Sequence, residues 1–166
     1  MFTHILIPLD GSEYGERVLA YAADLAEIAA ARVTLLTVVP SDGSGGAPSF
    51  GEQPASDDEQ LERCQAYLDG HASTLRDAGI EHVDTEVRAG VTTSVIPETA
   101  RQLEVDLIAM STQGLGAESD EGLGSVASKV LMAAPCPVFM VRIRRPEPPR
   151  GVAEERWQSE GGANVG

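Results

Sequence analysis

Residues 105–134 read VDLIAMSTQGLGAESDEGLGSVASKVLMAA, and the order of chemistry along this stretch decides the fold. Val105 to Met110 has the apolar character of a buried strand. Two glycine clusters, Gly114/Gly116 and Gly122/Gly124, bracket the loop that follows, and Ser125 opens a helix-like run. A strand, a glycine-bearing loop and a helix start in series predict an anion site. The first N–H groups of a helix have no partner inside it, and glycine lets the backbone approach a phosphate closely. Gly114, Gly124 and Ser125 would supply those donors. The same residues also fit a plain glycine-rich turn with Ser125 as the helix cap. The loop is neither a Walker A motif, since it has no Gly-Lys-Ser/Thr, nor a first-strand GxGxxG.

Outward from this stretch the alternation repeats. HILIP (His4 to Pro8) reads as an apolar strand ending at Asp10–Gly11, and Ser12 caps a predicted helix from Glu13 to about Ala30. In that helix Val18, Leu19, Ala22, Leu25, Ala26 and Ala29 recur at helical spacing. RVTLLTVV (Arg32 to Val39) is β-branched and nearly continuously apolar, as a strand covered on both faces should be. Pro40 to Asp57, rich in Gly, Ser and Pro, reads as a loop. Asp58 to Ala78 follows as a helix, with Leu61, Cys64, Leu68 and Leu75 on one face despite the interior Gly70. HVDTEVR (His82 to Arg88) alternates like a more exposed strand, and Gly90 ends it. A helix from about Ser94 to Leu103 keeps Pro97 in its first turn, where a missing N–H does least harm. A helix from Ser125 to Ala134 and a strand from Pro137 to Ile143 close the series. Four strand–helix units and a final strand predict an α/β, Rossmann-like, doubly wound sheet of five parallel strands.

The folded part spans residues 1–143. Residues 144–166 hold prolines, glycines and charges without an apolar stripe, and read as a flexible C-terminal tail. Four arginines there balance four glutamates, so the formal net charge of -14 belongs wholly to the folded part. That charge argues against nucleic acid and anionic membrane as partners. Lys129 is the only lysine, and this Lys-poor, acidic balance resembles that of proteins from organisms with high internal salt. An acidic protein from a high-GC genome is the alternative. No apolar run reaches the roughly 20 residues of a membrane span, and MFTHILIPLDGS lacks a basic leader, so the expected location is cytoplasmic. Cys64 and Cys136 form no metal-spaced pair and read as reduced, partly buried side chains. His4, His71 and His82 share no neighbourhood in sequence, and no catalytic constellation falls at the strand ends.

In a doubly wound sheet a ligand binds beyond the C-terminal strand ends, where strand order reverses. With the first and fourth strands adjacent there, Asp10 would face residues 110–126. It could accept hydrogen bonds from ribose hydroxyls, hold a divalent cation beside phosphates, or simply cap the next helix.

PLDGS (Pro8 to Ser12), Ala89–Gly90, DLIAMSTQG (Asp106 to Gly114) and GSVASKVLMAAPCPVFMVR (Gly124 to Arg142) together resemble the universal stress protein family. The resemblance covers roughly residues 1–143. Its most specific part is the spacing Gly-x2-Gly-x9-Gly-Ser, associated in that family with ATP binding. Ser111 stands at the first glycine, Gly114 at the second, and Gly124–Ser125 at the third. The resemblance implies strand order 3-2-1-4-5 and a homodimer through the last strand. It implies a stress-response or regulatory role with ATP, accompanied by a divalent ion such as Mg2+ or Mn2+. Pro8, Leu9 and Asp10 would line the nucleoside end, with Val38 offering backbone atoms to adenine. Met110, Ser111 and Gly114 would follow the ribose and phosphates, and Gly124, Ser125 and Val126 would hold the phosphates. Any hydrolysis would be slow or partner-dependent. Glu118, Asp120 and Glu121 put three carboxylates in the loop. They repel a triphosphate unless they face solvent, are screened by salt or bind a cation. The rival reading is a dimeric interaction module of the same fold that binds no nucleotide.

Overall fold

The central strand β1 (His4–Pro8) has Ile5, Leu6 and Ile7 fully buried, because helices cover both of its faces. The structure, a computed structural model, describes residues 2–41, 56–113 and 122–142. After β1 come α1 (Glu13–Glu16), α2 (Val18–Ala29), β2 (Arg32–Pro40), α3 (Asp57–Asp77) and β3 (Val83–Gly90). The chain continues through α4 (Thr92–Gln102), β4 (Leu107–Ser111), α5 (Ser125–Ala133) and β5 (Val138–Val141). All strand pairs are parallel, and the order is β3-β2-β1-β4-β5, as expected. The chain winds from β1 outward to β3, crosses back, and places β4 on the other side of β1. The switch point therefore lies between β1 and β4.

Successive residues of a strand point to opposite faces, so the sheet supports two cores. Ile5, Ile7, Val33, Leu35, Leu107 and Ala109 pack with Val18, Ala22 and Ala26 of α2 and Leu68, Ala72 and Leu75 of α3. Leu6, Leu36, Ile108 and Met110 pack with Ile96 and Ala100 of α4 and Ala127 and Val130 of α5. Each fully buried aliphatic side chain contributes about 1.5–3 kcal/mol. That suffices to hold the fold without a disulfide; Cys64 and Cys136 are free thiols, and Cys64 is completely buried rather than partly so.

Strand β4 begins at Leu107 rather than Val105, and three helices differ from expectation in a cap, a break or the place of a proline. The helix after Ser12 is broken: α1 is a single turn whose cap, Arg17, donates its N–H to the Gly15 carbonyl before α2 begins. Helix α4 begins at Thr92, two residues early, so Pro97 lies in its second turn and removes a ladder bond there. Gly124, not Ser125, is the N-cap of α5, and Ser125 is its first helical residue. Helix α3 runs unbroken through Gly70, whose position faces open space. Among the described residues no helix is long and apolar enough to cross a membrane. Most of the Pro40–Asp57 loop, Ile143 and the tail lie outside the described residues.

Candidate functional site

Strand pairing brings most of the expected residues to one edge of the sheet. Ile5 and Leu6 of β1 lie opposite Leu107 and Ile108 of β4, so Pro8, Leu9 and Asp10 emerge beside Met110 and Ser111. Pro8 pairs with Leu36, which carries Val38 to the same edge. The start of α5 is tied there too: the Gly124 N–H donates to the Thr112 carbonyl at 2.8 Å, and the Thr112 N–H donates to Val141 at 3.0 Å. A Cβ on Gly124 would sit 3.1 Å from that carbonyl oxygen, so glycine allows the helix start to press against the strand exit. The first ladder bond of α5 runs from Ser128 to Gly124. The N–H groups of Ser125, Val126 and Ala127 thus have no partner within the helix, and Ser125 and Val126 are exposed. Partial positive charge therefore gathers beside the β4 exit.

Not every expected residue offers a side chain. Leu9 and Val38 are buried, as is Met110, so their contributions at this edge are restricted to backbone atoms. The Leu9 N–H donates to Leu36 at 2.8 Å, and its carbonyl accepts from the Thr37 hydroxyl at 3.2 Å, which pins the β1 exit to β2. The Ser111 hydroxyl donates to the Gln113 carbonyl, closing the strand exit on itself. Gly114 and the acidic residues Glu118, Asp120 and Glu121 lie outside the described residues.

Asp10 does not cap the helix. Ser12 does, accepting from the Gly15 N–H at 2.9 Å, while Asp10 Oδ1 accepts from the Ser12 N–H at 3.0 Å and the Ser12 hydroxyl at 2.6 Å. Ser12 was expected only as a cap; the Asp-Gly-Ser triplet, a turn signature in which Asp bonds two residues ahead, carried the signal for its second role. Thr112 is a residue that no local pattern marks. It is 9% exposed, and its hydroxyl has no hydrogen-bond partner.

The histidines serve the fold. His4 is buried, with Nε2 2.8 Å from the Thr34 hydroxyl and Nδ1 3.1 Å from the Leu103 carbonyl. Burial, reinforced by the Arg32 charge, holds its pKa below the usual value. The ring is thus neutral, with Nδ1–H donating to Leu103 and Nε2 accepting from Thr34. His71 Nε2 lies 3.5 Å from Glu16 Oε1, which also accepts from the Tyr67 hydroxyl at 3.0 Å. Burial and then the Glu16 charge push the Tyr67 pKa up, so it remains a neutral donor. His82 is exposed ahead of β3. Among the described residues no group of three or more His, Cys, Asp or Glu could hold a metal ion.

A profile of the Universal stress protein family matches residues 1–142. The chain belongs to the universal stress protein family. It is 32% identical over 146 residues to a Staphylococcus haemolyticus protein assigned to the same family, with 85% of each chain covered. Among solved structures it is similar to the universal stress protein UspA of Lactobacillus plantarum, at a TM-score of 0.70 and 25% identity, covering 85% of this chain and 98% of that one. The Archaeoglobus fulgidus universal stress protein in complex with dAMP shares the fold at a TM-score of 0.62 and 21% identity, covering 84% of this chain and 97% of that one. This universal stress protein thus carries the family's sheet order along with the β4–α5 junction described above.

Proposed function

We propose that this universal stress protein binds an adenine nucleotide, ATP, at the β1–β4 switch point and serves a stress-response or regulatory role. The observation that carries the reading is the junction of β4 and α5. Gly124 is bound to Thr112, and α5 opens with N–H groups of Ser125 and Val126 that have no partner within the helix, at the sheet edge to which β1 delivers Asp10. Phosphates suit the donors, and the nucleoside suits the β1 side, where Pro8, Asp10 and the Leu9 and Val38 backbones lie. A related fold, the Archaeoglobus protein, holds dAMP, which supports an adenine ligand. Gly114 would extend the phosphate cradle. A divalent ion, Mg2+ or Mn2+, fits with Asp10 as the one described carboxylate nearby, since such ions are commonly held by one or two carboxylates, phosphate oxygens and water. The ion would neutralise phosphate charge.

The acidic balance supports a working environment of high salt, in a cytoplasm that would screen the -14 charge. A homodimer through β5 would pair a short, half-buried strand that otherwise ends the sheet. Calorimetric titration with ATP and Mg2+ at molar KCl tests the main reading. Heat with a dissociation constant in the micromolar range is expected, and no heat at millimolar ATP would rule ATP out. The second reading, a dimeric interaction module without nucleotide, is favoured by one feature: the Ser111 hydroxyl is spent on the Gln113 carbonyl of its own strand exit.

A further inference from the structure

Asp10 is seated by two residues that neither the helix cap nor the phosphate site requires in this form. Ser12 places both of its donors on one carboxylate oxygen, the N–H at 3.0 Å and the hydroxyl at 2.6 Å. Capping needs only a lone pair, which Ser12 Oγ gives to the Gly15 N–H at 2.9 Å. The hydroxyl proton is therefore directed to Asp10, and Ser12 is itself only 7% exposed. Two donors converging on Oδ1 restrict the rotation of the carboxylate.

Gly15 completes the seat by what it lacks. A Cβ there would fall 2.6 Å from Asp10 Oδ1 and 3.1 Å from Ser12 Oγ, the first closer than real Cβ contacts allow. Its backbone is not left-handed, so conformation does not demand glycine at this position. Glycine within a helix is also a poor former relative to alanine. Space for the carboxylate is what the missing Cβ provides.

Resting on the nucleotide reading above, we propose that Ser12 and Gly15 are positioning residues for sugar recognition. They hold Asp10 in the orientation that accepts hydrogen bonds from the ribose hydroxyls, so preference for a hydroxylated sugar depends on both.

The test is calorimetric titration with ATP and with 2′,3′-dideoxy-ATP, at molar KCl with Mg2+, on the unaltered protein, Ser12→Ala, Ser12→Thr and Gly15→Ala. The unaltered protein is expected to prefer ATP by about tenfold or more, since a hydrogen bond to a charged group is among the stronger kinds. Ser12→Ala and Gly15→Ala should bring that preference to within about twofold, and Ser12→Thr, which keeps the hydroxyl, should retain it. Gly15→Ala improves helix propensity and keeps both the Ser12 hydroxyl and the N–H it caps, so it reads the seat even where Ser12→Ala unfolds. A preference unchanged in Gly15→Ala, or equal losses for both ligands with the ratio intact, overturns the proposal and leaves Ser12 a cap. Equal binding of both ligands by the unaltered protein overturns it alone. No binding of either overturns the nucleotide reading and this proposal with it.

Discussion

At the N-terminal ends of β1 and β4, Asp106 accepts from the Thr3 N–H at 2.8 Å, the Thr3 hydroxyl at 2.7 Å and the His4 N–H at 3.1 Å. There His4 also joins its two ring nitrogens to Leu103 and Thr34. At the C-terminal ends of the same two strands, the Thr112 hydroxyl is buried without a partner, and α5 opens with N–H groups that have none within the helix. The strands are the same, yet among the described residues donors and acceptors are matched at one end and donors are left over at the other. Burial tends to raise the pKa of Asp106, but the Thr3 and His4 hydrogen bonds keep it below the usual value, as suits a carboxylate saturated with donors. Matched groups stabilise the sheet. Unmatched donors facing a strand exit are poised for an anionic partner.

The widest separation between the ends comes from His4→Ala. It leaves a cavity and removes the partner of the Thr34 hydroxyl, and should cost about 3 kcal/mol in urea unfolding while nucleotide affinity stays unchanged. A tenfold loss of affinity in that variant would show that the two ends are coupled. At the other end, Gly124→Val sets a branched side chain against the Thr112 carbonyl. ATP affinity should fall more than tenfold for about 1 kcal/mol of stability; unchanged affinity would place the ligand elsewhere. The smallest effect belongs to Thr112→Val, which replaces an unpaired hydroxyl by a methyl of the same shape. Ligand-free stability should rise by up to about 1 kcal/mol in thermal unfolding, and a fall would mean the hydroxyl already has a use within the fold.

The parallel sheet was legible in the sequence because β1, β2 and β4 are mostly apolar while β3, at the edge, alternates; the strand order came from the family resemblance. Much of the site edge was legible for a related reason: a parallel sheet sends all strand exits the same way, so Pro8, Asp10 and Ser111 had to converge. What stayed hidden depended on atoms distant in sequence. Gly124 rather than Ser125 caps α5 because its N–H meets the Thr112 carbonyl, a contact between loop ends that no local pattern encodes. Pro97 fell two residues deeper, into the second turn, because Val91, a residue without a capping side chain, opens α4. The Ser12–Asp10 bond could have been read from Asp-Gly-Ser, whereas the solitary Thr112 hydroxyl could not, since isolation is a property of the packed structure.

The pairing of Ile5 with Leu107 also orders events in time. These partners stand about a hundred residues apart, so at ribosomal speeds of about 5–20 residues per second β1 leaves the ribosome roughly 5–20 seconds before β4 can reach it. During that interval β1, β2 and β3 can associate with their own helices, but one flank of β1 is bare and the strand exits have no α5 beside them. The β1–β4 switch point is thus completed late, and no ligand held there can guide the earlier steps of folding. The nucleotide proposed for that place could only secure a chain that has already found its shape.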